Sequence, residues 1–72
     1  MQISINGERR QIDVEELTIS ALLAMEKVEA PEMVAVQVDG HIIDRRVFQQ
    51  TKIGTGAEVD FLYFMGGGGG SW

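Results

Sequence analysis

Polar and apolar residues alternate over residues 2–6, with Ile3 and Ile5 on one face. The same two-residue period resumes after Asn6-Gly7 at Arg10, Ile12 and Val14. Asn-Gly suits the positive φ angles of a type I′ turn, so a β-hairpin is predicted first. The period then lengthens. Ile19, Leu22, Leu23, Met25 and Val28 recur at three- and four-residue spacing and predict one helix of about ten residues with a single apolar stripe. Thr18 is placed to cap it, Leu17 and Leu22 to staple its entry, and Pro31 bars its continuation. Val34, Val36 and Val38 alternate with Ala35 and Gln37, giving a strand over residues 33–38 that ends at the turn Asp39-Gly40. Ile42-Ile43 makes a short return strand, and Asp44 can cap a helical turn through Arg45, Arg46, Val47 and Phe48. Gly54 and Gly56 mark another turn. Residues 58–65 then form the most β-prone run, with Val59, Phe61 and Tyr63 on one face and Leu62 and Phe64 on the other. The expected architecture is an α+β roll, a mixed four- to five-stranded sheet over one main helix. Residues 1–65 form the domain and residues 66–72 a flexible, glycine-rich tail.

Composition narrows what such a roll can do. A chain of 72 residues buries only about 60% of the surface its unfolded form exposes, which disfavours a roomy internal active site. The net charge of −5 provides no cationic footprint for nucleic acid, and Arg9-Arg10 with Arg45-Arg46 are too few to reverse it. An acidic surface suits a basic patch on a protein partner. No stretch approaches 18 apolar residues and the first ten residues lack an apolar leader, so the expectation is a cytoplasmic protein with no membrane partner. Cysteine is absent, which removes disulfides, thiolate metal sites and cysteine nucleophiles. Lone His41 lacks a second ligand for a metal and reads as an exposed turn residue. Asp13, Glu15 and Glu16 read as a solvated entry to the helix. With no acid–base pair and no nucleophile converging on a pocket, the chain does not read as an enzyme.

One segment remains that could carry chemistry. Gly66 to Gly70 is a run of five glycines directly after the strongest strand, followed by Ser71 and Trp72. A phosphate-cradling loop would need a Lys-Ser/Thr and a helix after it, and neither follows. A flexible tail is the plain reading. The alternative is a reacting end: a carboxylate that must be threaded into a narrow channel beside ATP is best carried on glycine, which has no Cβ and lets the backbone approach closely.

Met1-Gln2-Ile3, Asn6-Gly7-Glu8, Thr18-Ile19 with Leu22-Leu23, Val34-Ala35-Val36 with Val38 and Gly40, and residues 59–64 before Gly66-Gly67 together resemble the ThiS/MoaD sulfur carriers, most closely ThiS. The resemblance spans all but the last five residues. It implies a β-grasp fold related to ubiquitin, with the first and last strands side by side. It further implies that a ThiF-like partner uses ATP and Mg²⁺ to adenylate the terminal glycine. Sulfur from a donor such as a cysteine desulfurase then displaces AMP, and the resulting thiocarboxylate serves thiazole synthase in thiamine formation. The carrier binds no cofactor itself. Gly66 and Gly67 would be the sulfur-carrying end, and Leu62, Phe64 and Met65 either a docking patch for the activating enzyme or ordinary packing.

The chain departs from that pattern after Gly67, whose carbonyl is an amide while Gly68 to Trp72 follow. A processing protease can trim the tail, as metalloproteases of the JAMM type do for carriers that feed cysteine, homocysteine or methionine synthesis. Gly-Gly-Gly-Gly-Ser also resembles a flexible linker, and a β-grasp interaction domain that never conjugates is a third possibility.

Overall fold

Both predicted hairpin turns have the backbone their sequences call for, with φ of 52° and 84° at Asn6-Gly7 and 51° and 85° at Asp39-Gly40. The computed structural model describes residues 1–63. Its strands are β1 (Gln2–Ile5), β2 (Glu8–Gln11), β3 (Glu16–Thr18), β4 (Val34–Val38), β5 (His41–Ile43), β6 (Lys52–Gly54) and β7 (Glu58–Tyr63). One helix, α1 (Ile19–Met25), lies between β3 and β4, and short 3-10 turns occupy Pro31–Met33 and Arg45–Val47.

The main sheet has five strands in the order β2-β1-β7-β4-β5. Strand β7 is parallel to β1 and antiparallel to β4, so the first and last strands are neighbours as expected and the sheet is mixed. Ile3, Ile5, Val34, Val36, Val59 and Phe61 turn one face of this sheet toward Ile19, Leu22 and Leu23 of α1, and all nine are buried. Each such side chain contributes about 1.5–3 kcal/mol relative to exposure. The predicted α+β roll is thus the observed fold.

The helix is capped at its start by Thr18 and by distant carbonyls, and at its end by a local turn. Thr18 Oγ1 accepts from the Ala21 amide at 3.1 Å, while the first two amides, of Ile19 and Ser20, donate to the carbonyls of Thr51 and Phe48. At the other end Lys27 takes φ of +56°. There the Lys27 amide donates to Ala24 and the Val28 amide to Leu23, a Schellman arrangement that brings Val28 back against the core. This stops the helix three residues before the apolar period ends and leaves Met25 about half exposed.

Three other details differ from the sequence reading. β2 ends at Gln11; the Ile12 amide still meets the Met1 carbonyl in the register of the hairpin, but the Val14 amide turns back to the Ile12 carbonyl, and Ile12 is buried while Val14 is exposed. Glu16 belongs to strand β3 and not to the helix entry, and it pairs with Lys52 across a second, two-stranded sheet of β3 and β6. Gly54 lies in β6, so the turn is confined to the residues after it, with Gly56 at φ of +93°.

Candidate functional site

Strand β7 leads to the glycines, and its grip on the sheet determines where they are presented. Its parallel ladder with β1 runs from the Ser4 amide to the Ala57 carbonyl (3.0 Å) and from the Asn6 amide to the Val59 carbonyl (2.9 Å). The next rung would need a carbonyl where the chain is already turning. The side chain of Asn6 supplies it: Oδ1 accepts the Phe61 amide at 2.8 Å. Asp39, in the other left-handed turn, acts in a similar way at the start of the strand, where its amide donates to the Glu58 carbonyl (2.8 Å) and its Oδ1 accepts the Glu58 amide (3.0 Å). The side chains of two turn residues, Asn6 and Asp39, therefore hold one central strand. Beyond Phe61 the strand pairs with β4 alone, as Leu62 with Ala35 and Tyr63 with Val34. The chain thus passes the end of β1 as it reaches the last described residue.

The face of the sheet opposite the helix carries the side chains nearest that exit. Leu62 lies opposite Ala35, and in the neighbouring row Asp60 lies opposite Gln37, which in turn lies opposite Ile42. Leu62 is 42% exposed and Ile42 60%, so this open face has a strip with two exposed apolar side chains in adjacent rows, separated by Ala35 and Gln37 of β4, and with Asp60 in the row of Ile42. Leu62 is where the alternation of β7 placed it. Ile42 was not anticipated as part of the strip, although parity in β5 gives the signal: of the pair Ile42-Ile43, one must face the core and the other the open side. The expected docking residues Phe64 and Met65 and the expected sulfur-carrying Gly66 and Gly67 lie outside the described residues.

The described residues offer a surface and not a reaction centre. They include no buried polar or charged side chain and no group of three His, Cys, Asp or Glu placed to hold a metal ion. His41 is exposed on β5, as expected. The one carboxyl clearly displaced in pKa is Asp44, held down at about 2 by hydrogen bonds from the Arg46 side chain and amide. That pair caps the 3-10 turn at Arg45–Val47 on the exposed surface. None of the described helices is long and apolar enough to cross a membrane.

A five-stranded mixed sheet gripping one helix, with the first and last strands parallel neighbours at its centre, is the β-grasp architecture, and here the sheet delivers its final strand to a glycine-rich end. The sequence pattern of the ThiS family matches residues 3–68, and the chain belongs to that family, within the ThiS/MoaD sulfur carriers. Its members are small protein substrates and not enzymes. The crystal structure of a thiamine biosynthesis protein, ThiS, from Geobacter metallireducens is similar at 39% identity and a TM-score of 0.86, covering 94% of this chain and all of that one. The solution structure of a thiamine biosynthesis protein from the same organism gives 39% identity and a TM-score of 0.79 over 94% of this chain and 88% of that one. No curated protein matches the chain.

Proposed function

We propose that this protein carries sulfur for thiazole formation in thiamine biosynthesis, as a thiocarboxylate on Gly67 formed after residues 68–72 are removed. The observation that supports this most is the coincidence of family and geometry: the family match runs through Gly66-Gly67 and ends at residue 68, and those glycines follow a strand held at the centre of the sheet. The relatives named for thiamine biosynthesis support the choice of pathway.

The chemistry follows from the carboxylate. A Gly67 carboxylate oxygen attacks the α-phosphorus of ATP on a ThiF-like partner that uses Mg²⁺, and pyrophosphate leaves. A persulfide sulfur, supplied by a cysteine desulfurase or similar donor, attacks the acyl adenylate and AMP leaves. A thiol then attacks the donor cysteine's sulfur in the acyl disulfide, forming a disulfide with the donor and releasing the thiocarboxylate, the sulfur donor for thiazole synthase. The protein's own part is recognition. Leu62, with Phe64 and Met65, would dock on the activating enzyme while the glycines, lacking Cβ atoms, enter its channel.

The residues beyond Gly67 favour a second reading, a carrier for cysteine, homocysteine, methionine or another sulfurated product, paired with a trimming metalloprotease. In either case the uncut chain is inert, because Gly67 is then an amide. Intact mass spectrometry tests both. A version ending at Gly67, incubated with ATP, a ThiF-like enzyme and a persulfide donor, should exchange one oxygen for sulfur, while the full chain should not. Adenylation of the uncut chain would overturn the processing step. Failure of the shortened chain with every such enzyme would favour a β-grasp interaction domain that does not conjugate. Transfer to thiazole synthase or to an amino-acid synthase separates the two pathways.

A further inference from the structure

Asn6 is the single asparagine of the chain and Asp39 the single aspartate followed by glycine. Both dipeptides, Asn6-Gly7 and Asp39-Gly40, are exposed. In such pairs the side chain is open to attack by the following main-chain nitrogen, because glycine has no Cβ to obstruct the approach. The space beside each glycine is also clear, since a Cβ built on Gly7 or Gly40 would meet nothing within 4 Å. At Asn6 the Gly7 nitrogen, on losing its proton to solvent, bonds to Cγ; the side-chain nitrogen takes up a proton and leaves as ammonia, closing a succinimide ring. Water then opens the ring at one of its two carbonyls. Opening at Cγ gives aspartate, and opening at the main-chain carbonyl gives isoaspartate, whose chain runs on through Cβ and Cγ. Asp39 reaches the same ring from its protonated carboxyl with loss of water, and so reacts more slowly near neutral pH.

The fold acts on this chemistry twice. Asn6 and Asp39 are left-handed, at φ of 52° and 51°. With the ψ of about +45° that accompanies this region, Cβ lies nearly anti to the following nitrogen, whereas ring closure needs the two nearly eclipsed. The turn must therefore open before Cγ can be attacked. Each side chain is also tied to β7, from Asn6 Oδ1 to the Phe61 amide (2.8 Å) and from Asp39 Oδ1 to the Glu58 amide (3.0 Å). Isoaspartate does not restore these bonds. Its free carboxylate stands directly on Cα, one carbon shorter, and the two-residue turn has gained a main-chain carbon.

We propose that Asn6-Gly7 and Asp39-Gly40 are paired isoaspartate-forming sites, closed while their side chains hold β7 and open when β7 lets go, so that conversion at either turn makes the loss of that hold permanent. A converted chain would be a poorer substrate for an activating enzyme. That consequence alone rests on the sulfur-carrier reading, whereas the modification is read without any partner enzyme.

The full chain is aged at mildly alkaline pH in buffer and in urea, digested, and mapped by mass spectrometry for exchange of NH by O at residue 6 and for isoaspartate at residues 6 and 39, told from aspartate by electron-transfer fragments. Both sites should convert in urea, Asn6 first, and in buffer at least about tenfold more slowly. Val59→Ala opens a cavity under β7, where Val59 is fully buried, and leaves both turn sequences intact. It should speed conversion of Asn6 several-fold in buffer and not in urea. Of the aged chains separated by chromatography, those with isoaspartate at residue 6 should lose hydrogen-exchange protection at the Phe61 amide, and those with aspartate there should keep it. Equal rates in buffer and urea overturn the proposal, as does a Val59→Ala chain that converts no faster than the parent. An isoaspartyl chain whose Phe61 amide stays protected, or an Asp39 that forms no isoaspartate in urea, overturns it equally.

Discussion

Asn6 offers the sharpest test of how the strand leading to the glycines is held, because it supplies two separable contributions. Its backbone is left-handed, at φ of 52°, and its Oδ1 accepts the amide of Phe61, a residue only 6% exposed. Asn6→Gly keeps the turn and removes the acceptor. It leaves a buried amide unpaired, at a cost of about 1–3 kcal/mol. Asn6→Ala removes the acceptor and also puts in the left-handed region a residue without asparagine's tolerance for it, adding about 1–2 kcal/mol relative to the Gly variant. Asn6→Asp retains an acceptor at the same atom and should stay within about 1 kcal/mol of the parent. Against a total stability on the order of 4–11 kcal/mol for a domain of this size, Asn6→Ala should lower the melting temperature by roughly 8–40 °C. Urea unfolding of the four proteins at constant m-value gives the two contributions by difference. Hydrogen exchange at the Phe61 amide localises them: protection should fall in the Gly and Ala variants and persist in the Asp variant. If Asp is as damaging as Ala, the hydrogen bond is not what Asn6 contributes. Equal stabilities for Gly and Ala would dismiss the backbone argument.

Four further predictions are specific. Lys27→Gly should raise stability by about 0.5–1 kcal/mol, because Lys27 occupies the left-handed position of the Schellman turn at φ of +56°; an unchanged or lower urea midpoint would refute it. Leu62→Asp should change stability by no more than about 1 kcal/mol while cutting kcat/KM for adenylation of the Gly67-ended chain at least about tenfold, or about 1.4 kcal/mol. Phe64→Ala should likewise weaken partner binding more than stability, and the reverse pattern in either variant would mean the residue serves packing alone. The Asp44 carboxyl, followed by NMR, should titrate at about 2 and move back toward 3.8 in Arg46→Ala. Since its folded pKa is depressed, its contribution to stability is present above about 3.8 and is lost as pH falls through about 2. The pair is exposed, so that contribution is small, and a titration unmoved by the substitution would show that Arg46 is not its cause.

What was legible in the sequence was whatever repeats or has a local cause. Alternation in β1, β4 and β7, the Asn-Gly and Asp-Gly turns, and Thr18 as cap all rest on a few adjacent residues, and each is present. Strands β3 and β6 are three residues each, too short for a period to show, and their pairing joins Leu17 to Ile53 across half the length of the chain. The helix illustrates a local rule overridden by another. Apolar spacing extends to Val28, yet Val28 reaches the core by folding back after a left-handed Lys27 and not by continuing the helix. On the open face, Leu62 could be placed from the alternation of β7, whereas the partnership of Leu62, Ala35, Gln37 and Ile42 required the order of strands.

The side chains of Asn6 and Asp39 show the same limit more clearly. Sequence rules select both residues because they tolerate positive φ, and the hairpins alone would be satisfied by glycine at either position. The fold uses the extra atoms for something no hairpin rule contains, namely bonds to amides 55 and 19 residues away in β7. These bonds matter for a carrier in particular. In the proposed function the described residues, none of whose buried side chains is polar or charged, contribute the placement of the carrier's end. That placement is only as firm as the attachment of the final strand. Pairing to β1 stops at Phe61, so the Asn6 bond is the last point on that side at which the sheet holds the chain before Leu62 and Tyr63 carry it toward the glycines.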